Sequence, residues 1–389
     1  MSSGNKFQRF ERYMLNHKLR SCGFELWRSI FCGISKTTGE ERTFFIEFYL
    51  VNPSVSPKTA VIAQKSRLKM TESDLQYALA GTASALEINA EPDVQPSYVL
   101  VKAGAWGKSG KQVNQFFPAS DCIWMKNDRT LHAGGCSMSE DTLTGSVSVS
   151  YAQLRESPEF LCNAGSIDWD LRYEKVVTQK PGYNHKKSVW FASAAKAVFA
   201  GVVHLDGEEY NVIPKSSFGY MDKAWSSRLS ETYFHLSTVN LSSIITGKLL
   251  SKSSLAIQGE YDGRVNLLLC IEGKNLSITG HTPFDKYSEI HDCLQVPRDG
   301  DGEKLHWTVS FKKNSYVIDV DVFCRTSEMF IRDYEVPEAG RRLLKVLGGG
   351  SGTGEIRIYQ KNGKNLEMLE HVHLADTVCE YGTIAQPEK

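Results

Sequence analysis

Ser217-Phe218-Gly219-Tyr220-Met221-Asp222-Lys223-Ala224-Trp225 lies near the middle of the 389-residue chain. Read as an extended strand, it puts Tyr220 and Asp222 on the same face, because successive side chains alternate. A phenol and a carboxyl then share one pocket. Gly219 lets the backbone turn or be approached closely. Trp225 adds a large apolar wall, but on a regular strand it points to the opposite face. It joins the pocket only through a bulge or turn after Lys223. A carboxyl held against aromatic walls keeps its proton near neutrality, as an acid that protonates an alkene must. The plainer reading of the same residues is a turn glycine, an exposed aspartate and two core aromatics.

Composition narrows the class. Lys+Arg and Asp+Glu both number 45, so the formal charge is zero. A nucleic-acid groove needs a surplus of phosphate-neutralising cations, and none is expected here. No run is long and apolar enough for a transmembrane helix. The start, Met1-Ser2-Ser3-Gly4-Asn5-Lys6-Phe7, has no apolar secretory segment. The nine Cys are scattered, without metal-ligand spacing. Reduced thiols in a cytoplasmic protein, with no metal, are the simplest expectation. Phe 18, Tyr 16, Trp 7 and Gly 31 suit a β protein with tight turns and a roomy apolar interior.

Residues 1–22 read as a lead-in helix, with Phe7, Phe10, Tyr13 and Met14 at helical spacing. From Gly23 the pattern becomes short strands. Segments 23–33 and 43–51, joined by the turn-prone 36–40, read as a hairpin. Glu47 sits among Phe44, Phe45, Ile46, Phe48 and Tyr49. It faces either a cavity or the solvent side of an edge strand. A helical patch is expected at 72–87. In Ile167-Asp168-Trp169-Asp170-Leu171-Arg172-Tyr173, the aromatic face belongs to the core and the acids to water, unless Asp168 and Asp170 line a cleft. Residues 178–187, with Pro181 and Gly182, read as the link between a 23–183 domain and a 184–389 domain. Asp206-Gly207 is the strongest short hairpin signal. Asp299-Gly300-Asp301-Gly302 lacks the remaining acids of a calcium loop. The glycines of 348–354 lead into an alternating strand instead of a helix. They mark a flexible crossing or a strand packed tightly on another backbone, not a phosphate loop.

Four stretches resemble the tocopherol cyclase-like family, which is related to carotenoid hydratases and lipocalin-like pericyclases. They are Phe45-Ile46-Glu47-Phe48-Tyr49-Leu50-Val51-Asn52-Pro53, Trp169-Asp170-Leu171, Gly219-Tyr220-Met221-Asp222-Lys223-Ala224-Trp225, and Gly352-Thr353-Gly354 through Cys379-Glu380-Tyr381-Gly382. The resemblance implies an all-β chain of two tandem lipocalin-like β-barrel or β-sandwich domains, with a ligand pocket near their junction. It implies no cofactor and an apolar small-molecule partner, with at most transient membrane contact. The chain departs from the family pattern at Ala224 and Ser226, on either side of Trp225, and at Tyr233 and His235, where the related cyclases carry tryptophans. A more polar pocket is therefore expected.

The mechanism this suggests is cyclisation, isomerisation or hydration of an isoprenoid or polyene. Asp222, kept neutral by burial, would protonate a double bond, and Tyr220 would orient it. Trp225, Trp190 and Tyr233 would stabilise a cation by roughly 0.5 to 2 kcal/mol per contact. His235 would take the final proton. Glu47, Asp170 and Asn240 complete the expected substrate contacts. Two rivals stand beside this. One is a non-catalytic carrier of a lipid, quinone or pigment, a common use of such barrels. The other is a carbohydrate-active sandwich using Asp168, Asp170 or Glu231, whose acids must face one another across a cleft.

Overall fold

Short runs of aromatic and β-branched residues between turn residues make strand the main element of the described residues. A computed structural model describes residues 10–56, 60–61, 95–127, 129–179, 181–185, 188–259, 263–279, 287–338 and 342–384. The first strands are β1 (Phe24–Ser35), β2 (Glu41–Val51), β3 (Ala60–Val61), β4 (Gln95–Pro96), β5 (Tyr98–Ala105), β6 (Lys111–Pro118), β7 (Cys122–Met125), β8 (Thr130–Ala133), β9 (Cys136–Met138), β10 (Thr142–Val149), β11 (Gly165–Val177), β12 (Tyr183–His185), β13 (Ser188–Leu205), β14 (Glu208–Val212) and β15 (Phe218–Ser226). There follow β16 (Thr232–Thr238), β17 (Asn240–Ser243), β18 (Ser254–Gly259), β19 (Val265–Ile271), β20 (Lys274–Asn275), β21 (Ser288–Asp299), β22 (Gly302–Lys313), β23 (Tyr316–Arg325), β24 (Phe330–Glu335), β25 (Leu343–Asn362) and β26 (Asn365–Ile384).

Among the described residues β1 to β15, without the small β3–β4 pair, form one sheet of 13 strands, and β16 to β26 form a second of 11. Both are antiparallel and both roll up. In the first, the Ser148 N–H donates to Gln115 Oε1 at 3.2 Å, bringing β10 against the edge strand β6. In the second, Phe234 of β16 meets His291 of the edge strand β21 edge to face at 5.2 Å. The expected class, all-β with two barrel-like units in tandem, is the one found.

The turns follow the sequence signals. Asp206 and Gly207 both take positive φ, 53° and 85°, as a tight hairpin between β13 and β14 requires. The glycines of 348–354 lie inside β25, which packs tightly: a Cβ at Gly354 would meet the backbone of Asp321, and one at Gly350 would meet the Trp106 ring at 2.7 Å. The division expected at 183/184 falls inside the first sheet. Residues 181–185 turn back so that β12 pairs with β13, and the handover between sheets is the connection 227–231. Pro181 and Gly182 therefore mark a return within one sheet; Gly182 donates its N–H to Trp190 O at 2.9 Å. The lead-in is not an α-helix where it is described. Residues 10–22 hold a 3-10 turn at His17–Arg20, and 1–9 lie outside the described residues, as does the patch expected at 72–87. Among the described residues no helix is long and apolar enough to cross a membrane.

Side-chain alternation explains where the site lies. Trp27 and Phe31 of β1, and Phe44, Ile46 and Phe48 of β2, fill the first roll. Their neighbours Leu26, Ile30, Phe45 and Tyr49 face the other way, into a second core shared with Tyr334, Leu344 and Val346 of the second sheet. β1, β2 and β5 are thus buried on both faces, which is why they read as unbroken apolar runs. Any polar residue in step with Leu26 or Phe45 is carried into the junction between the two units.

Candidate functional site

That parity rule places Arg28 in step with Leu26 and Ile30, and Glu47 in step with Phe45 and Tyr49. On β15 it selects Tyr220, Asp222 and Ala224. β1 and β15 are neighbours, with Arg28 opposite Asp222 in the register. From the second sheet, Tyr233 and His235 of β16, Arg332 and Tyr334 of β24 and Glu380 of β26 arrive at the same place.

These residues form one continuous charged chain. Arg28 clasps Asp222 with two bonds, Nε to Oδ1 at 3.0 Å and Nη2 to Oδ2 at 2.6 Å. Its Nη1 reaches Glu380 Oε2 at 2.5 Å. The other Glu380 oxygen is bound by Arg332, whose Nη2 meets Glu47 Oε1 at 2.6 Å. Tyr334 donates to Glu47 Oε2 at 2.9 Å. Three carboxylates and two guanidiniums alternate across the interface, all buried. Lys102 lies beside them, donating to Asp333 O at 2.9 Å. Burial, and then the Arg332 charge, pull its amine down to about 8. Burial pushes the Glu380 carboxyl up, but the charges of Arg28 and Arg332 outweigh it and leave it below the ordinary value. Such a chain needs every member, because removing one leaves a buried charge without its partner.

Asp222 also accepts from Tyr220 OH at 3.0 Å and from Trp190 Nε1 at 3.0 Å. Four donors converge on its two oxygens and a guanidinium neutralises it. Charge-assisted bonds of this kind fix the orientation of the group. Where the sequence suggested an acid set against aromatic walls, the fold pairs Asp222 with a buried guanidinium. His235 is wholly buried, and burial together with the Arg28 charge lowers its imidazole well below the usual range, so it is neutral. Its Nδ1 lies 3.1 Å from Gln258 Oε1 and its Nε2 lies 2.9 Å from Ser237 Oγ. With Gln258 so oriented, Nδ1 carries the hydrogen and Nε2 is the acceptor, facing both Ser237 Oγ and, at 3.1 Å, the donor Arg28 Nη2.

Ser237 and Tyr220 lead out of the cluster into a cavity of 330 Å³ between the two sheets. Ile30, Phe31 and Phe218 of the first sheet and Val239 and Val378 of the second supply its apolar wall. A smaller space of 40 Å³ lies beside Tyr233, Gln258 and Tyr334.

In sequence the chain matches no protein-family model and no curated protein. Solved structures are similar to it. The crystal structure of CghA aligns over 95% of this chain and 90% of its own, with a TM-score of 0.46 and 10% identity. Kievitone hydratase from Nectria haematococca aligns over 92% and 88%, with a TM-score of 0.42 and 12% identity.

Of the residues singled out from sequence, Tyr220, Asp222, His235, Tyr233, Trp190 and Glu47 meet in the junction. Asn240 borders the cavity and donates from Nδ2 to Asp376 Oδ2 at 2.7 Å. Trp225 stays on the far face of β15, which has no bulge after Lys223. Its ring packs 6.0 Å from that of Phe10 and beside Phe191. Asp170 is exposed on β11, remote from the junction. Asp168 is also exposed, paired with His204 at 2.8 Å, and Glu231 is exposed, so these acids line no shared cleft. Arg28, Arg332, Ser237 and Lys196 were not anticipated. A lone cation among apolar residues is the signal Arg28 and Lys196 leave; Arg332, beside Asp333, and Ser237 leave none.

Proposed function

We propose that this protein is a cofactor-independent enzyme of the tocopherol cyclase-like kind, a cyclase, isomerase or hydratase of a compact isoprenoid or polyene. The observation that carries the reading is the 330 Å³ cavity between the two units, with an apolar wall, a polar remainder that includes Lys196, Asn240 and Asp376, and the Tyr220–Asp222–Arg28–His235–Ser237 loop behind it. Small-molecule sites span about 300–1,000 Å³, so this one suits a short substrate. In this reading the chemistry does not depend on alkene protonation by Asp222, which is paired with Arg28. The cavity supplies shape, which folds the chain into a reactive conformer, and fixed dipoles, which stabilise charge without reorganising. A ligand hydroxyl, or a water, bound at Ser237 has a route for its proton through Oγ to Nε2 of the neutral His235. The nearby Asp222 favours the imidazolium that results. In both ring closure by an internal hydroxyl and addition of water, the oxygen bonds to one carbon of a polarised double bond and the proton taken up by Nε2 passes to the other, so no external acid is consumed.

The test is organic extraction and native mass spectrometry of the protein from its own host, before and after incubation at neutral pH. An isoprenoid or polyene of unchanged mass and altered retention supports cyclisation or isomerisation. A gain of one water supports hydration. The same ligand recovered unaltered overturns the enzymatic reading in favour of a carrier.

A further inference from the structure

Buried lysines are rare, and each needs a reason. Three stand out in this structure. Lys223 is ion-paired with Glu25 at 2.5 Å inside the first roll. Lys102 belongs to the charged chain, its Nζ also 4.1 Å above the Tyr334 ring. Lys196 is only 2% exposed, and among the described residues no carboxylate lies within ion-pair distance of its Nζ. It lines the 330 Å³ cavity.

The backbone sends it there by an irregularity. Lys196 lies in the apolar run Phe191-Ala192-Ser193-Ala194-Ala195-Lys196-Ala197-Val198-Phe199. Along β13 the register with β15 slips twice, between Phe191 and Ala194 and again between Ala194 and Ala197. Each slip inserts a residue and re-aims the side chains that follow. Ala194, Ala197 and Phe199 fill the first roll, whereas Ala195 faces the junction. Lys196, next to Ala195, crosses to the second unit and donates to Val239 O at 3.1 Å. Its Nζ sits 4.4 Å over the Phe218 ring. One carbonyl accepts one of its hydrogens, the amine borders the cavity, and the Glu272 charge acts against the effect of burial without forming an ion pair.

We propose that Lys196 is the reactive anchor of the junction cavity, forming an imine with the carbonyl carbon of an apolar aldehyde or ketone. The Nζ lone pair attacks the carbonyl carbon, and the oxygen takes protons and leaves as water. One C–O double bond and two N–H bonds are exchanged for one C–N double bond and one molecule of water; no oxidant or reductant enters. Burial lowers the proton affinity of this amine, which supplies the free base the attack needs. Once protonated, the iminium is stabilised by the Phe218 face and withdraws electrons from a conjugated chain. That polarisation eases closure by a hydroxyl bound at Ser237. This inference rests on the cavity reading above and names the substrate class: a conjugated carbonyl compound.

The full chain is incubated at neutral pH with a ten-carbon conjugated dienal, reduced with cyanoborohydride and digested for peptide mass spectrometry. Equilibrium dialysis of the matching dienol, which cannot form an imine, reports binding in parallel. Expected is an adduct at Lys196 forming at least about tenfold faster than at the exposed Lys36. Lys196→Gln should lose that adduct while the surface lysines keep theirs. Dienol binding with labelling spread over surface lysines and none at Lys196 overturns the imine and leaves the cavity reading intact. Neither dienol binding nor a Lys196 adduct overturns both.

Discussion

Asp222 is the residue whose role the structure changes most. Aromatic neighbours suggested a carboxyl kept neutral by burial. The fold instead gives it Arg28, bound at 3.0 and 2.6 Å, with Tyr220 and Trp190 as further donors. A substitution intended to remove an acid would therefore strip a buried guanidinium of its partner. Asp222→Asn is expected to destabilise the protein by about 3–5 kcal/mol, the usual result of breaking a buried pair from one side. Urea unfolding measures it. A midpoint equal to that of the parent would mean that Arg28 does not depend on this carboxylate for its burial, against the pairing the geometry shows. Part of this was legible: the Tyr-x-Asp spacing identified two members of the cluster, because period 2 is fixed by backbone geometry alone. Arg28 was not, because its pairing with Asp222 crosses 194 residues of sequence. Only the register of β1 on β15 creates it.

At the scale of the strand, the readings that succeeded rested on local rules and those that failed needed long-range ones. Alternation at 167–173 placed Trp169 and Leu171 in the core and Asp168 and Asp170 in water. The Asp206-Gly207 turn needed only its own φ angles. Pro181 and Gly182 suggested a domain boundary, since turn residues look the same between sheets and within one. The slips in β13 that aim Lys196 leave no mark in a sequence of alanines. Gly219 was read as a turn or a point of close approach, and it is the second. It lies within β15, where a Cβ would strike Ile30 O on one side and the Phe199 ring, at 2.6 Å from the nearest atom, on the other. Gly219→Ala must push β15 away from β1, or push Phe199 into the first core. Overpacking of this kind costs about 1–3 kcal/mol. The expected result is a lower thermal midpoint, with a weakened bond from Tyr220 to Asp222 one turn of the pleat away. An unchanged midpoint would show that the two strands have room between them, against the contact distances.

The whole molecule is two rolled sheets joined by a core that carries charge as well as apolar surface, and its stability should depend on acid accordingly. His235 and Glu380 both sit in that core with folded-state values below their ordinary ones of 6.5 and 4.5. Below its ordinary value each group binds a proton more readily in the unfolded chain than in the folded one. Folding stability is therefore full above that value and falls as the pH drops through it. His235 acts first, below about pH 6.5, and Glu380 adds to the loss below about pH 4.5. Each group contributes at most about 1.4 kcal/mol per pH unit. The imidazole is faced by Arg28, whose charge, with that of Arg332, resists its protonation, and by Asp222, which favours it; Tyr220, Tyr233, Gln258 and Ser237 are neutral. Unfolding free energies measured in urea between pH 7 and pH 5 should decline in the parent. In His235→Gln, which keeps a hydrogen-bonding side chain without a titrating ring, the decline over that interval should flatten. Parallel slopes in the two proteins would mean that His235 takes its proton within the folded junction. In that case the route from Ser237 would end on a base far stronger than this geometry describes, and the cluster would open to water before the sheets part.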